Sequence, residues 1–270
     1  MRRLSRFLVI AASSGAIVTL ATGVASGAPN RSYASAGRTP GASHGLLIPV
    51  GPLRRTGTMK SENWSGYAVT TTKVTSVQST FDVPTASTPP TGYAATWTGI
   101  GGYGTRDLIQ AGVAESDPSG TAQYYPWYEL LPAGETRINK PVSPGDQVTV
   151  TITESTSNSK QWTISLSDPH SGWTFTKTVK YKSRRESAEW ILEAPTVDGG
   201  QTRLPSLSTA YFGPTSTYSV NHGSVKTISA GNPIKILLVK SNGSREATPS
   251  SLESGQEFND CAHASTCLAP

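Results

Sequence analysis

The sequence predicts an all-β domain, a sandwich or barrel, and three observations predict it. Six stretches either alternate polar with apolar residues or run apolar, and all are rich in Thr, Val, Ile, Trp and Tyr: "SVQSTFDVP", "AATWTGIGG", "DQVTVTITES", "KQWTISLSDP", "GWTFTKTVKY" and "IKILLVK". Turn formers separate them, namely Pro89-Pro90, Pro144-Gly145, the run Asp168-Pro169-His170-Ser171-Gly172, and Gly199-Gly200. Amphipathic helix patterns are scarce; "SRRESAEWIL" scores as one, but it runs into Pro195 and has β-rich neighbours.

The chain starts with Arg2, Arg3 and Arg6, then the apolar run "FLVIAASSGAIVTLATGVASGA". A basic start, an apolar stretch and small residues (Ala25-Ser26-Gly27 before Ala28) form the pattern of a secretory signal peptide over residues 1–28. The chain is therefore expected to be secreted to the extracellular space. Gly, Ser and Thr interrupt the run, which weighs against a membrane anchor, so no stable membrane association is expected after cleavage. Residues 29–60 are rich in Ser, Gly, Pro and Arg and bury little apolar surface, which predicts a basic, disordered propeptide. Within it, "LLIPVGPL" is short and could dock. The folded domain is expected over residues 61–270, about 210 residues, a size suited to one all-β domain.

Charge divides the chain at the same point. Residues 1–60 hold eight of the 23 basic side chains and none of the 18 acidic ones. The body is left slightly acidic with no basic stripe, so nucleic acid is excluded as the expected partner. A leader with only positive charge could pair with an acidic cleft, which makes the chain's own propeptide a candidate inhibitor. Cys261 and Cys267, in "CAHASTC", are expected to pair as a disulfide in an oxidising compartment. The alternative is a metal site with His263 between them, which three ligands on one tail support only weakly.

Familiar catalytic sets are missing. The sequence holds no G-x-S-x-G elbow and no H-E-x-x-H helix, and "GIGGYG" lies between strands rather than opening a helix. His170, His222 and His263 sit in polar, turn-like contexts and read as solvated. What remains is a set of polar groups inside aromatic strands. Gln110 lies in "DLIQAGVA", Trp127 and Glu129 in "YYPWYELLP", Trp97 in "AATWTGIGG", and Glu189 and Glu193 in "AEWILEAP". With a period of two, Glu189, Ile191 and Glu193 share one face, and Trp190 and Leu192 the other. Any one of these acids alone reads as facing solvent; together they suggest a concave face lined with Trp, Gln and Glu, suited to a polymer.

The series "NWSGYAV" (63–69), "FDVP" (81–84), "TWTGIGG" (96–102), "LIQAGV" (108–113), "WYELLP" (127–132) and "AEWILEAP" (188–195) resembles the glutamic peptidases, or eqolisins, and more their bacterial secreted members than the fungal ones. The resemblance implies an antiparallel β-sandwich of two long sheets, similar in outline to concanavalin and other lectin-like folds. It implies a secreted acid endopeptidase with polypeptide substrates, a zymogen with no cofactor and no metal, which we expect to be a monomer. It implies a Gln/Glu catalytic dyad, matched to Gln110 and Glu189, with Trp97, Trp127 and Glu129 lining the substrate cleft. In that reading Glu189 activates a water and Gln110 donates to the oxyanion. Glu193 is a neighbour that tunes charge or reaches solvent. Gly101, Ala114 and Leu131 depart from the fungal pattern, two of them where an acid is usual. The competing readings are a carbohydrate-binding module on a similar sandwich, or a glycosidase using Glu129 and Glu189 as paired carboxylates.

Overall fold

Strands dominate residues 42–270, the part of the chain that the computed structural model describes. The expected signal peptide (1–28) and the first part of the expected propeptide (29–41) lie outside the described residues. Among the described residues there is no α-helix, and one short 3-10 turn spans Ile228–Gly231.

Two sheets form a sandwich. The first runs Thr136–Arg137, Gln123–Leu130, Leu108–Ser116, Ala95–Gly101, Ser187–Glu193, Trp64–Thr70, Ile234–Val239, Gly57–Ser61, Pro49–Val50. Its pairings are antiparallel except that of Gly57–Ser61 with Ile234–Val239. The second runs Trp173–Lys180, Gln161–Asp168, Gln147–Glu154, Val74–Asp82, Ala210–Phe212, Phe258–Ala262, Arg245–Pro249. Ile234–Val239 also pairs with Arg245–Pro249 and ties the sheets along one edge.

The strands differ in burial for a reason written in their composition. "QVTVTITE" (147–154) and "QWTISLSD" (161–168) alternate: Val148, Val150, Ile152, Trp162, Ile164 and Leu166 fill the space between the sheets, while Thr and Ser side chains take the other face. The central strands of the first sheet, "ATWTGIG", "LIQAGVAES" and "SAEWILE", are buried along their whole length. Ile109, Ala111, Val113, Trp190 and Leu192 point into the sandwich core. Leu108, Ala114, Trp97, Trp127 and Ile191 point the other way, into a second apolar cluster.

That second cluster is closed by the leader. Leu47 and Met59 are buried within it. Burying each removes apolar surface worth on the order of 2 kcal/mol. Residues 42–60, expected to lack structure, contain the strands Ala42–Ser43, Pro49–Val50 and Gly57–Ser61 instead. Composition alone hid this, because the partners that order the segment belong to the body.

Elsewhere the body carries a disulfide between Cys261 and Cys267, with Cα atoms 5.6 Å apart. Both sulfurs are committed to that bond, and His263 turns to the Pro205 carbonyl. Asn63 begins an N-x-S motif, yet it is buried and bonded to Leu46 and Ile48, which leaves no room for a glycan.

Candidate active site

The outward face of the first sheet gathers most of the polar residues singled out above. Strand register sets three rows across it. One row reads Glu129, Gln110, Gly99, Glu189. The next reads Trp127, Gly112, Trp97, Ile191. The third reads Tyr125, Ala114, Ala95, Glu193, Trp64. Small residues at 95, 99, 112 and 114 let the tryptophans lie close to the floor. At Gly112 an added Cβ would come within 2.5 Å of the Trp97 Cβ, so nothing larger than glycine fits.

The structure does not bring Glu189 to Gln110. The two share a row but stand two strands apart, about 10 Å at the backbone. The Trp97 indole lies over the intervening Gly99, with Cζ3 3.0 Å from where a Cβ would be. Glu189 is fully buried, and neither carboxylate oxygen has a hydrogen-bond partner. Burial pushes its pKa well above the usual carboxylate range. A buried acid whose burial favours its protonated form, with the Trp97 indole between it and Gln110, is poorly placed to activate a water beside Gln110. The glycosidase pairing fares no better: Glu129 and Glu189 are three strands apart, about 14 Å at the backbone, beyond the span of either glycosidase geometry.

Glu193 is the acid that meets the cleft. It too is fully buried, so the expectation that it reaches solvent at the strand end does not hold. Its Oε2 accepts from Trp97 Nε1 at 2.8 Å. Its Oε1 accepts from the Gly45 N–H at 3.0 Å and from Asn63 Nδ2 at 3.4 Å. The same period-two pattern that put both acids on one face thus separates them by row.

The leader threads this cleft as an extended strand. Ala42–Ser43 pairs with Thr196–Val197. The His44 N–H donates to Glu129 Oε2 at 3.2 Å, and the His44 carbonyl accepts from Gln110 Nε2 at 2.7 Å. The Gly45 carbonyl accepts from Trp64 Nε1 at 3.1 Å, the Leu46 carbonyl from Asn63 Nδ2 at 2.9 Å, and the Ile48 N–H donates to Asn63 Oδ1 at 2.8 Å. The His44 ring lies flat on Trp127, centroids 3.6 Å apart and planes 8° from parallel. Trp97 and Trp127 are therefore covered rather than exposed, unlike the stacking platforms that the carbohydrate-binding reading needs.

Charge in the cleft is concentrated on His44 and three acids. Its Nε2 is 3.1 Å from Glu135 Oε2, and its Nδ1 is 3.4 Å from Glu193 Oε2. Burial alone would lower the His44 pKa, but Glu135 and Glu193 outweigh it and raise it to about 9. Burial pushes Glu129 up to about 8, aided by Glu193 and Glu135 against His44. Burial works against Glu135 as well, yet His44 and Arg137 hold its pKa below the usual range. Glu115, beside Ala114 but on the core face of the same sheet, is buried with its pKa pushed well up by that burial. Among the described residues of the leader, the cation in the cleft is His44, while Arg54 and Arg55 are exposed.

His44, Glu135, Asn63 and Trp64 were not among the expected site residues. His44 lies in a stretch whose composition predicts little structure, and no motif in the sequence marks Glu135. "NWSGYAV" was the one available signal for Asn63 and Trp64.

The model of the Peptidase A4 family matches residues 62–260. The fold is similar to that of scytalido-glutamic peptidase bound to a transition state analog inhibitor, at 20% identity and TM-score 0.62, covering 74% of this chain and 98% of that one. It is similar to SCP-B, an eqolisin in complex with the tripeptide Ala-Ile-His, at 19% identity and TM-score 0.59, with the same coverages. Aspergilloglutamic peptidase from Aspergillus niger matches at 20% identity and TM-score 0.53, over 63% of this chain and 99% of that one. No curated protein sequence matches the chain.

Proposed function

The chain belongs to the Peptidase A4 family, the glutamic peptidases, and from that premise we propose that Gln110 and Glu193 are the pair that hydrolyses peptide bonds in its cleft. It is a glutamic endopeptidase by family. One observation carries the residue assignment: a single peptide group, His44–Gly45, has its carbonyl oxygen on Gln110 Nε2 and its N–H on Glu193 Oε1.

Those are the two atoms whose charge changes during hydrolysis. As a water attacks the carbonyl carbon, an ionised Glu193 takes its proton. Negative charge then builds on the oxygen that Gln110 Nε2 already faces. Glu193 next returns the proton to the nitrogen it already faces, and the C–N bond breaks. Gln110 cannot titrate, and its amide is oriented by a second donation, to Glu129 Oε2 at 2.9 Å. Glu129 itself is a neutral acid below about pH 8, so it does not compete as a base.

The segment at the dyad is both inhibitor and first substrate. While residues 42–48 fill the cleft, no other peptide enters; cutting His44–Gly45 frees the acyl side to leave. The tripeptide held by SCP-B ends in histidine, as Ala42-Ser43-His44 does. The signal-like leader and the Cys261–Cys267 disulfide support secretion. No helix among the described residues is long and apolar enough to cross a membrane.

Incubating the full chain at about pH 3 to 5 and mapping its new N-terminus tests the proposal. A terminus at Gly45, lost in Gln110→Ala and in Glu193→Gln but kept in Glu189→Gln, is expected. Processing that survives Glu193→Gln would contradict it.

A further inference from the structure

We infer that Trp127 and Glu135, with Glu193 closing the far edge, form a subsite that selects a protonated histidine on the acyl side of the cleaved bond. The inference rests on the assignment of His44–Gly45 to the reacting position. It concerns what the cleft recognises rather than how it cuts.

The pocket makes three separate demands on its occupant, and each excludes a class of side chain. The Trp127 face, 3.6 Å away and nearly parallel, demands a flat ring. Lysine and leucine cannot supply one. Two carboxylates flank the ring: Glu135 Oε2 is hydrogen-bonded to Nε2 at 3.1 Å, and Glu193 Oε2 lies 3.4 Å from Nδ1, an ion-pair contact without a formed hydrogen bond, so the first demands an N–H and the second favours a positive charge. Neutral imidazole has one N–H, imidazolium has two, and phenylalanine has none. A phenylalanine here would take the close donor from Glu135 Oε2 and set carbon beside the Glu193 carboxylate, and leaving a buried acceptor unmet is costly. The 0% exposure of His44 closes the pocket to longer side chains such as arginine.

Glu135 is built for this role rather than passing through. Its Oε1 accepts from Arg137 Nε at 3.1 Å and from the Tyr125 hydroxyl at 3.2 Å. Arg137 lies 3.8 Å over the Tyr125 ring and donates to its hydroxyl at 3.1 Å. The carboxylate is thus fixed before a substrate arrives, with Oε2 left for the imidazole. The other acid facing His44 is Glu129, which accepts its backbone N–H and is held neutral by burial; Glu115 points to the opposite face of the sheet, where burial also raises its pKa. Glu135, held below the usual carboxylate range, stays ionised into acid, where a histidine in a substrate is fully protonated. Glu135 is a specificity residue in this account, and it touches no reacting atom.

Two measurements test the inference. The processed enzyme is given peptides that differ only at the residue before the scissile bond, His, Phe, Gln or Lys, at about pH 4 to 5. We expect kcat/KM for His to exceed that for Phe and Gln by about tenfold or more, and the ratio to fall to near unity in Glu135→Gln. Cleavage without a His preference, or a preference that survives Glu135→Gln, overturns the subsite. The second measurement needs no turnover: nitrogen NMR of His44 in the full chain carrying Gln110→Ala. Both ring nitrogens protonated at pH 7 support the subsite, and a neutral imidazole overturns it. Failure to cleave any peptide counts against the Gln110–Glu193 dyad alone, since the NMR arm still decides the histidine site.

Discussion

Gln110 and Glu193 grip opposite edges of one peptide group: Gln110 Nε2 is 2.7 Å from the His44 carbonyl oxygen, and Glu193 Oε1 is 3.0 Å from the Gly45 nitrogen. In a trans peptide the C=O and N–H bonds point in opposite directions. Two side chains from different strands therefore approach from opposite sides, and neither needs to touch the other. The sheet supplies this by placing the two residues in different rows, with the Trp97 ring between the rows as a spacer.

Trp97 has a second task, donating to Glu193 Oε2 at 2.8 Å. A charge-assisted bond of this kind fixes the orientation of the carboxylate. Trp97→Phe keeps an aromatic ring and removes the donor. We expect kcat/KM to fall by about tenfold or more. An unchanged kcat/KM would mean that the indole N–H does not position Glu193.

The hold on the leader depends on pH in both directions. His44 has its pKa raised to about 9, so its contribution is full below about 6.5 and lost as pH rises through about 9. Glu129, raised to about 8, contributes fully below about 4.5 and loses its share as pH rises through about 8. Glu135, held low, contributes above its usual value near 4.5 and loses its share as pH falls through its depressed pKa. Amide protection factors of residues 42–48, measured in Gln110→Ala, should be highest in mildly acidic solution and fall on both sides. Protection that rises steadily from about pH 5 to 9 would contradict the ionic account.

Three buried acids make the fold itself acid-tolerant. Burial raises Glu115 and Glu189 well above the usual range and Asp260 to about 8. Each contributes stability that is full below its unfolded pKa and is lost as pH rises toward its folded one. Melting temperatures should therefore be higher near pH 4 than near pH 7. Glu189→Met removes a buried carboxyl that makes no well-formed hydrogen bond, with Ser187 and the Gly101 backbone as its polar neighbours, and should stabilise the chain at pH 7 by on the order of 1 to 3 kcal/mol, with a smaller gain at pH 4. Equal destabilisation at both pH values would show that Glu189 has partners after all.

Cys261 and Cys267 close a loop of six-residue separation on a strand of the second sheet. Closing so short a loop stabilises by about 2 kcal/mol through the unfolded chain. The double Ser variant should melt at a lower temperature by a corresponding amount and cleave peptides at an unchanged rate. Loss of activity at a temperature where the variant is still folded would tie the loop to the cleft.

How much of this was legible in the sequence follows from which interactions are local. The period-two strands 147–154 and 161–168 could be read directly, because one face of each is open and the alternation survives. The central strands could be read as β but not by face, since both faces are covered and "LIQAGVAES" does not alternate. Gln110, Trp97, Trp127 and Glu129 could be placed on one face by resemblance. Choosing between Glu189 and Glu193 could not be done by pattern, because both have the same parity. It required the register of three strands and the direction of one indole. The leader was the largest surprise. Its Ser, Gly and Pro content is real, but its backbone is satisfied by Glu129, Gln110, Glu193, Trp64 and Asn63, all more than ten residues away in sequence.

The most direct test of the central claim is kcat/KM at acidic pH for Glu193→Gln and Glu189→Gln on one peptide substrate. Glu193→Gln should lose about 10²- to 10⁴-fold, the range of a general acid–base. Glu189→Gln should stay within about one order of magnitude of the unmodified enzyme, because its carboxyl faces no reacting atom. The reverse pattern, an inactive Glu189→Gln and an active Glu193→Gln, would contradict the assignment of Glu193 to the dyad.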